Sequence, residues 1–268
     1  MATTDDVVKR YVHGKHVLVA QLNRPRRKNA FNDAVYQQLI KAFKELDENP
    51  ELHALVITGT GDYFTSGADI KESMDAMAAG ESRGLPSHGW PPKAMEAFLR
   101  CKKLVVAAVN GPAVGIGVTL LLHCDFVYAV DTATFWTPFM RIGIVPEFAS
   151  SYTFPHMLGT HMANELLIKS RQICVHEALA CGLVGHVRPA ANFLAGVLED
   201  TLKLVANQYT AGSIPAYKRL LKRQAAPAIR EAIAVEFEEL DRRFASGEMH
   251  EIAMASMADF MSNSKSKL

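Results

Sequence analysis

Short apolar runs alternate with segments of helical periodicity through the first two-thirds of the chain. Residues 7–22 are typical of two short strands, and residues 54–58 form another apolar run of strand length that ends at Gly59. Leu104–Val109 and Phe126–Val130 have the same character. The repeated strand-then-helix order predicts an α/β domain with right-handed crossovers.

One early helix is predicted with defined ends. Asn32 is a preferred N-cap residue, and Pro50 lies just beyond the last periodic position. The apolar positions between them follow helical spacing, and they are Val35, Leu39, Phe43 and Leu46. Residues 74–93, by contrast, are rich in glycine and proline, which predicts a loop between the more helical stretches.

From Thr160 onward the pattern is mostly helical. The predicted helices are residues 163–169, 176–180, 190–207, 214–223, 229–244 and 248–261. In the helix at 229–244 one apolar stripe follows a single face, formed by Ile229, Ile233, Phe237, Leu240 and Phe244. This stripe has two interpretations, because it can close the core or leave an apolar face for contact between subunits.

Composition narrows the class of protein. With 268 residues, 49% of them hydrophobic and 21% charged, the chain has the makeup of a soluble globular protein. Its net charge of +1, without a long basic tract, argues against a nucleic-acid partner. We expect no membrane span, because no run reaches about eighteen apolar residues, and we expect no secretory signal at the N-terminus.

The cysteines and histidines predict neither disulfides nor a metal centre. No CxxC pair is present, and each cysteine stands beside apolar or small residues, so we expect reduced, buried thiols at Cys101, Cys124, Cys174 and Cys181. The histidines are scattered, and no pair has the His-x-x-x-His spacing that places two ligands on one helix face.

Two glycine-bearing turns are candidates for ligand binding. They are Ser66-Gly67-Ala68-Asp69 and the segment 111–117, which leads into a helix. Such turns expose backbone N–H groups that bind a phosphate or a developing oxyanion, although the glycines can equally serve only to permit tight turns. A dinucleotide site is disfavoured, because Leu120 occupies the place of the third fingerprint glycine and the following helix is short.

A carboxylate in an apolar setting is the candidate for acid/base chemistry. Glu147 lies in Ile144-Val145-Pro146-Glu147-Phe148-Ala149, and such surroundings favour the protonated form. A carboxylate tuned in this way can take a proton from carbon and return it. A Glu after Pro is also typical of the first turn of a helix, so the local pattern leaves both roles open. Serine hydrolase chemistry has less support, since Ser150 and Ser151 have no local base in the sequence unless His156 reaches them.

The last three residues predict a destination. Ser266, Lys267 and Leu268 form the Ser-Lys-Leu tripeptide that peroxisomal import receptors read. We therefore expect a protein of the peroxisome matrix or a related microbody, with the import receptor as a partner.

Four motifs in order resemble the crotonase (enoyl-CoA hydratase/isomerase) superfamily, and most closely its peroxisomal Δ3,Δ2-enoyl-CoA isomerases. The motifs are Asn23-Arg24-Pro25 through Asn29-Ala30, Ser66-Gly67-Ala68-Asp69-Ile70, Asn110-Gly111-Pro112-Ala113-Val114-Gly115-Ile116-Gly117, and Pro146-Glu147 followed by Ser150-Ser151-Tyr152-Thr153-Phe154-Pro155. The resemblance implies a spiral of repeated ββα units over residues 1–200, a helical trimerisation region over 201–262 and a flexible tail over 263–268.

The resemblance also implies a reaction. The backbone N–H groups of Ala68 and Ile116 would hold the thioester oxygen of an acyl-CoA, while Glu147 moves a proton from C2 to C4 of a 3-enoyl-CoA and yields the 2-trans isomer of fatty-acid β-oxidation. Coenzyme A enters as part of the substrate, so no separate cofactor is expected. The residues expected to bind substrate are Ala68, Asp69, Ile70, Lys71, Glu72 and Gly115, with Met74 and Met77 near the acyl chain.

Three basic residues stand beside the first motif. Arg26, Arg27 and Lys28 are placed to meet the phosphates of coenzyme A, unless they form only a solvated basic turn.

Related hydratases carry two carboxylates at positions that here hold Thr119 and Phe139. Adding water across a double bond requires two groups that position the water and transfer protons, so the loss of both favours an isomerase. The alternatives are a hydratase or dienoyl-CoA isomerase of the same family, and a non-catalytic member that binds acyl-CoA or a protein.

Overall fold

The structure is a computed structural model that describes residues 6–72, 84–249 and 251–252. Its main sheet is formed by β1 (Val8–His13), β2 (Val17–Leu22), β3 (Ala54–Gly59), β4 (Leu104–Val109), β6 (Phe126–Val130) and β9 (His186–Arg188), side by side in that order. The pair β1 and β2 is antiparallel, whereas the remaining neighbours run parallel. The predicted α/β class is therefore confirmed.

The centre of this sheet lies in the hydrophobic core. Every residue of β3 and of β4 is buried, as apolar strands of a parallel sheet with both faces covered should be. The edge strand β1, in contrast, exposes most of its residues.

Helices cover the sheet and extend the chain beyond it. In chain order they are α1 (Asp33–Glu48), α2 (Trp90–Arg100), α3 (Ile116–Thr119), α4 (Ser150–Met157), α5 (Thr160–Leu167), α6 (Val175–Ala180), α7 (Phe193–Val205), α8 (Gln208–Lys222) and α9 (Ala226–Ser246). Helix α1 begins as predicted, because the Asn32 side chain accepts a hydrogen bond from the Val35 N–H. Its predicted apolar face is buried against the core. No helix in the described ranges is long and apolar enough to cross a membrane.

A second, three-stranded sheet carries part of the candidate site. It consists of β5 (Ala113–Val114), β7 (Thr134–Trp136) and β8 (Ile173–Cys174), with β5 parallel to β7 and β7 antiparallel to β8. These strands are only two or three residues long, which is too short for hydrophobic periodicity to reveal, and the sequence analysis did not predict them. Strand β9 and helix α4 were also missed.

Three expectations need correction. The predicted loop over residues 74–93 extends too far, because α2 begins at Trp90; Pro91 and Pro92 occupy its first turn, where a missing N–H costs no hydrogen bond. All four cysteines are free thiols, but only Cys101 is buried as predicted; Cys124 and Cys181 are half-buried, and Cys174, at the end of the short edge strand that precedes α6, is exposed. The predicted helix at 248–261 lies mostly outside the described residues.

The C-terminal helices are joined to the sheet by a buried ion pair. Lys218 of α8 lies 2.7 Å from Asp125, and Lys222 lies 2.8 Å from the other carboxylate oxygen. Asp125 also accepts a hydrogen bond from the Val105 N–H at the start of β4. Helix α8 is thereby fixed beside the parallel strands, although most of its surface is exposed.

Candidate functional site

The two predicted glycine turns meet in space. A β-carbon at Gly67 would lie 3.0 Å from the carbonyl oxygen of Val114 and 3.7 Å from the Cα of Gly115. Both glycines have positive φ, +85° for Gly67 and +55° for Gly115, a region that side chains rarely adopt. The glycines therefore permit both the backbone conformation and the close approach of the two turns.

Each turn presents a backbone N–H without a partner. Among the described residues, neither Ala68 nor Ile116 donates a backbone hydrogen bond, although their neighbours Gly67, Asp69 and Val118 all do. Because α3 is only four residues long, the helix dipole adds little at Ile116, and the N–H itself is the relevant donor. Two free donors on adjoining turns form a site suited to an oxyanion.

Glu147 faces the second of these turns. A β-carbon at Gly115 would lie 3.9 Å from Glu147 Oε1 and 3.7 Å from the ring of Phe139. Part of the Glu147 residue reaches the surface, but its carboxyl group is surrounded by protein atoms, and this burial, together with the negative charge of Glu236, raises its pKa to about 8. The protonated and ionised forms are therefore both accessible near neutral pH.

Thr119 and Phe139, at the positions where hydratase carboxylates were expected, carry no acidic group. Phe139 is buried and presents its ring toward Gly115. Thr119 is also buried, and its hydroxyl lies 3.4 Å from the Ile116 carbonyl oxygen of its own helix. Glu147 is thus the proton-exchanging side chain that the structure places beside Gly115.

Two residues that the sequence analysis missed hold the loop that carries Glu147. His123 Nε2 lies 2.7 Å from the Phe148 carbonyl oxygen, and the two rings stack with centroids 4.0 Å apart. Glu236 of α9 accepts hydrogen bonds from the Ala149 N–H at 2.7 Å and from both the N–H and the hydroxyl of Ser151. The sequence contains one sign of the buried position of Glu236, because this charged residue lies at helical spacing from Ile233 and Leu240 of the apolar stripe.

Two of the other predicted substrate-binding residues, Asp69 and Glu72, belong to an ion-pair network beside the Ala68 turn. Asp69 lies 2.9 Å from Arg24 and 2.8 Å from Arg27, and Glu72 lies 2.9 Å from Arg24. Burial opposes ionisation of Asp69, but the Glu72 N–H and the two guanidinium groups outweigh it and hold its pKa below the ordinary value. The side chains of Asp69 and Glu72 therefore stabilise the turn, whereas those of Ile70 and Lys71 are exposed.

The three basic residues at 26–28 also differ in whether another residue engages them. Arg27 is engaged with Asp69, and Lys28 lies over the ring of Tyr63 at 4.8 Å. Arg26 is exposed and forms no ion pair with a described residue. Of the three, Arg26 is the one left available to a phosphate.

Some of the predicted site residues lie outside the described ranges, and the structure adds nothing about them. They are Met74, Met77, Ser266, Lys267 and Leu268. Within the ranges that the structure describes, no group of three or more His, Cys, Asp and Glu residues is arranged to hold a metal ion.

Comparison with known proteins identifies the family. A family model described as enoyl-CoA hydratase/isomerase matches residues 13–266. Over 64% of its length the chain is 41% identical to human enoyl-CoA delta isomerase 2, of which the match covers 43%, and 39% identical to mouse peroxisomal enoyl-CoA delta isomerase 3, of which it covers 54%. The chain thus spans about half the length of these curated relatives.

A solved structure extends the likeness to nearly the whole chain. The enoyl-CoA hydratase/isomerase from Pseudoalteromonas atlantica superimposes with a TM-score of 0.85 at 30% identity, covering 96% of this chain and 97% of that one. This match confirms the predicted crotonase-type fold with a C-terminal helical region.

Proposed function

The chain belongs to the enoyl-CoA hydratase/isomerase family, and we propose that it is an isomerase that shifts the double bond of a 3-enoyl-CoA to the 2-trans position. The observation that carries this proposal is the pairing of one desolvated carboxyl group, Glu147, with two unpartnered N–H groups, those of Ala68 and Ile116. Moving a double bond requires one proton shuttle and one oxyanion site.

The proposed reaction is balanced within the substrate. The ionised Glu147 carboxylate removes a proton from C2, and the electron pair of that C–H bond passes through the thioester as a dienolate. The Ala68 and Ile116 N–H groups stabilise the oxyanion that forms. Protonated Glu147 then delivers the same proton to C4, which restores the carboxylate and leaves a double bond between C2 and C3.

The proton affinity of Glu147 suits this cycle. A carboxylate with an ordinary pKa is a weak base toward carbon, whereas a pKa of about 8 brings its affinity closer to that of the carbon acid. Burial, the main cause of this shift, also removes the water that would compete for the dienolate.

A groove lined in part by the helix that carries Glu236 is our candidate for binding the acyl chain. This groove of about 580 Å³ lies between α2 and α9 and has walls that include Met95, Leu99, Ile233 and Phe237. Phe237 is adjacent in sequence to Glu236, which bonds to the loop of the base. We assign this groove to the apolar tail of the substrate.

A homotrimer is part of the proposal. Helix α8 exposes large apolar side chains whose burial between subunits would be favourable, namely Tyr209, Tyr217, Leu220 and Leu221. The mass of the purified protein in sedimentation equilibrium tests this assembly. Delivery to peroxisomes through Ser266, Lys267 and Leu268 stays a prediction from the sequence.

A direct assay separates the isomerase from the alternatives. Purified protein should convert a 3-enoyl-CoA to the 2-trans isomer, and Glu147→Gln should lower kcat by about a thousandfold or more, because the shuttle is lost while the shape is kept. The exposed Glu231 on α9 offers a control, since Glu231→Gln removes the same charge far from the chemistry.

Each contrary outcome points to a different error. Full activity in Glu147→Gln would mean that another group is the base. Rapid hydration of a 2-enoyl-CoA by the wild type would favour a hydratase, and conversion of a 3,5-dienoyl-CoA alone would favour a dienoyl-CoA isomerase. Binding of acyl-CoA without turnover would indicate a non-catalytic member.

A further inference from the structure

The backbone that follows Glu147 adopts an unfavourable conformation. Phe148 and Ala149 both have positive φ, +54° and +58°, although neither is glycine. Such a conformation is unfavourable for a residue with a β-carbon and persists only where surrounding contacts impose it. The position of Glu147 therefore depends on contacts that hold these two residues.

Glu236 supplies several of these contacts from a distant part of the chain. Its Oε2 accepts the Ala149 N–H at 2.7 Å, and its Oε1 accepts the Ser151 N–H at 2.9 Å and the Ser151 hydroxyl at 2.6 Å. Glu236 is the buried residue of α9, at 7% exposure. Burying a carboxylate costs free energy unless its oxygens accept hydrogen bonds, and both oxygens of Glu236 do so.

The two buried carboxyl groups have unequal surroundings. Burial raises the pKa of Glu236 as well, but its three donors oppose that shift and favour the ionised form, whereas the described residues donate no hydrogen bond to the Glu147 carboxyl group. When two neighbouring carboxyl groups share one negative charge, the better-solvated group keeps it and the other retains the proton. Glu236 is therefore the ionised member of the pair.

We propose that Glu236 is a positioning residue for the Glu147 base, which holds the loop in its unfavourable conformation and keeps a fixed negative charge beside it. This inference rests on the proposed function of Glu147 and assigns Glu236 no contact with the substrate. The charge adds to burial, the larger cause, in raising the pKa of Glu147 to about 8, since a neighbouring anion opposes a second ionisation.

Other titratable groups around Glu147 do not supply this charge. Tyr36 of α1 faces it, but burial and the charges of Glu147 and Asp33 raise the pKa of the Tyr36 phenol well above its usual range, so Tyr36 stays neutral. His123 lies on the other side of the loop, and burial lowers its pKa to about 4, so it too is uncharged near neutral pH.

The test is the pH dependence of kcat/KM for 3-enoyl-CoA isomerisation in the wild type and in Glu236→Gln, with Glu231→Gln as the control. Glu236→Gln should move the midpoint of the acidic limb to lower pH by about half a pH unit or more, because the neighbouring charge is gone. It should also lower kcat about tenfold at pH 9, where the base is ionised in both proteins, because the Ser151 N–H loses its acceptor. Glu231→Gln should leave both values unchanged.

An unmoved midpoint in Glu236→Gln would overturn the proposal, because a residue that only supports folding changes the amplitude of the profile and not its position. If Glu236→Gln does not fold, Ser151→Ala replaces it; this variant removes one of the three donors to Glu236 and keeps the charge, so it should lower kcat at pH 9 and leave the midpoint in place, and an unchanged kcat would overturn the proposal. If the wild type does not isomerise the substrate, the proposed function fails. The inference is then tested by a ¹³C NMR titration of the Glu147 carboxyl group, assigned by its loss in Glu147→Gln, and the same midpoint shift in Glu236→Gln is expected.

Discussion

Replacing His123 by phenylalanine should make the protein less stable at neutral pH but not in mild acid. The His123 ring is buried, stacks on Phe148 and donates to the Phe148 carbonyl oxygen over 2.7 Å. Phenylalanine keeps the stacking and removes the donor, which leaves a buried carbonyl without a partner. Such a loss costs about 1 to 3 kcal/mol.

The pH dependence follows from the pKa of the buried ring. Burial lowers the pKa of His123 to about 4 in the folded protein, whereas an unfolded chain titrates near 6.5. Between these values the unfolded state binds a proton that the folded state does not, so stability falls as pH falls from about 6.5 to about 4. By pH 5 the wild type should have lost about 2 kcal/mol through this residue alone.

The measurement is urea unfolding of the wild type and His123→Phe at pH 7.5 and pH 5, at one protein concentration. The variant has no titrating ring at position 123, so its deficit of about 2 kcal/mol at pH 7.5 should shrink nearly to zero at pH 5. His161→Phe, at a ring that stays in solvent, is the control. A deficit of the same size at both pH values would show that His123 is not held neutral by burial.

Two further predictions concern packing. Gly117→Ala should lower the free energy of unfolding by about 2 kcal/mol or more, because its β-carbon would lie 2.2 Å from Thr65 Cγ2. The control, Gly212→Ala, lies in open space on α8 and should raise the free energy of unfolding by about 0.5 kcal/mol. Equal effects of the two substitutions in thermal unfolding would contradict the close packing at Gly117. Leu99→Trp should reduce kcat/KM for long-chain 3-enoyl-CoA about tenfold while sparing short-chain substrates, because the larger side chain fills the groove between α2 and α9. An equal loss of kcat/KM for all chain lengths would show that the groove does not bind the acyl chain.

Much of the fold and part of the candidate site could be predicted from local pattern. The buried strands β3 and β4, the capped helix α1 and the helical C-terminal region each have a periodicity that a short window of sequence reveals. The glycine turns could be located for the same reason, because positive φ restricts the residue type at a single position. Glu147 was found as a carboxylate among apolar neighbours, but its local pattern was equally that of a helix start.

The sequence by itself determined the α/β class, the family and the candidate residues for the chemistry, since these depend on neighbours along the chain. Only the tertiary structure brought Gly67 against Gly115 and placed Glu147 beside Gly115. It also joined Glu236 to Ala149 across 87 residues of sequence. Such contacts depend on how α9 packs against α4, and no periodicity within either helix records that packing. The proton affinity of Glu147, which burial and a distant charge set together, is therefore a property of the folded chain.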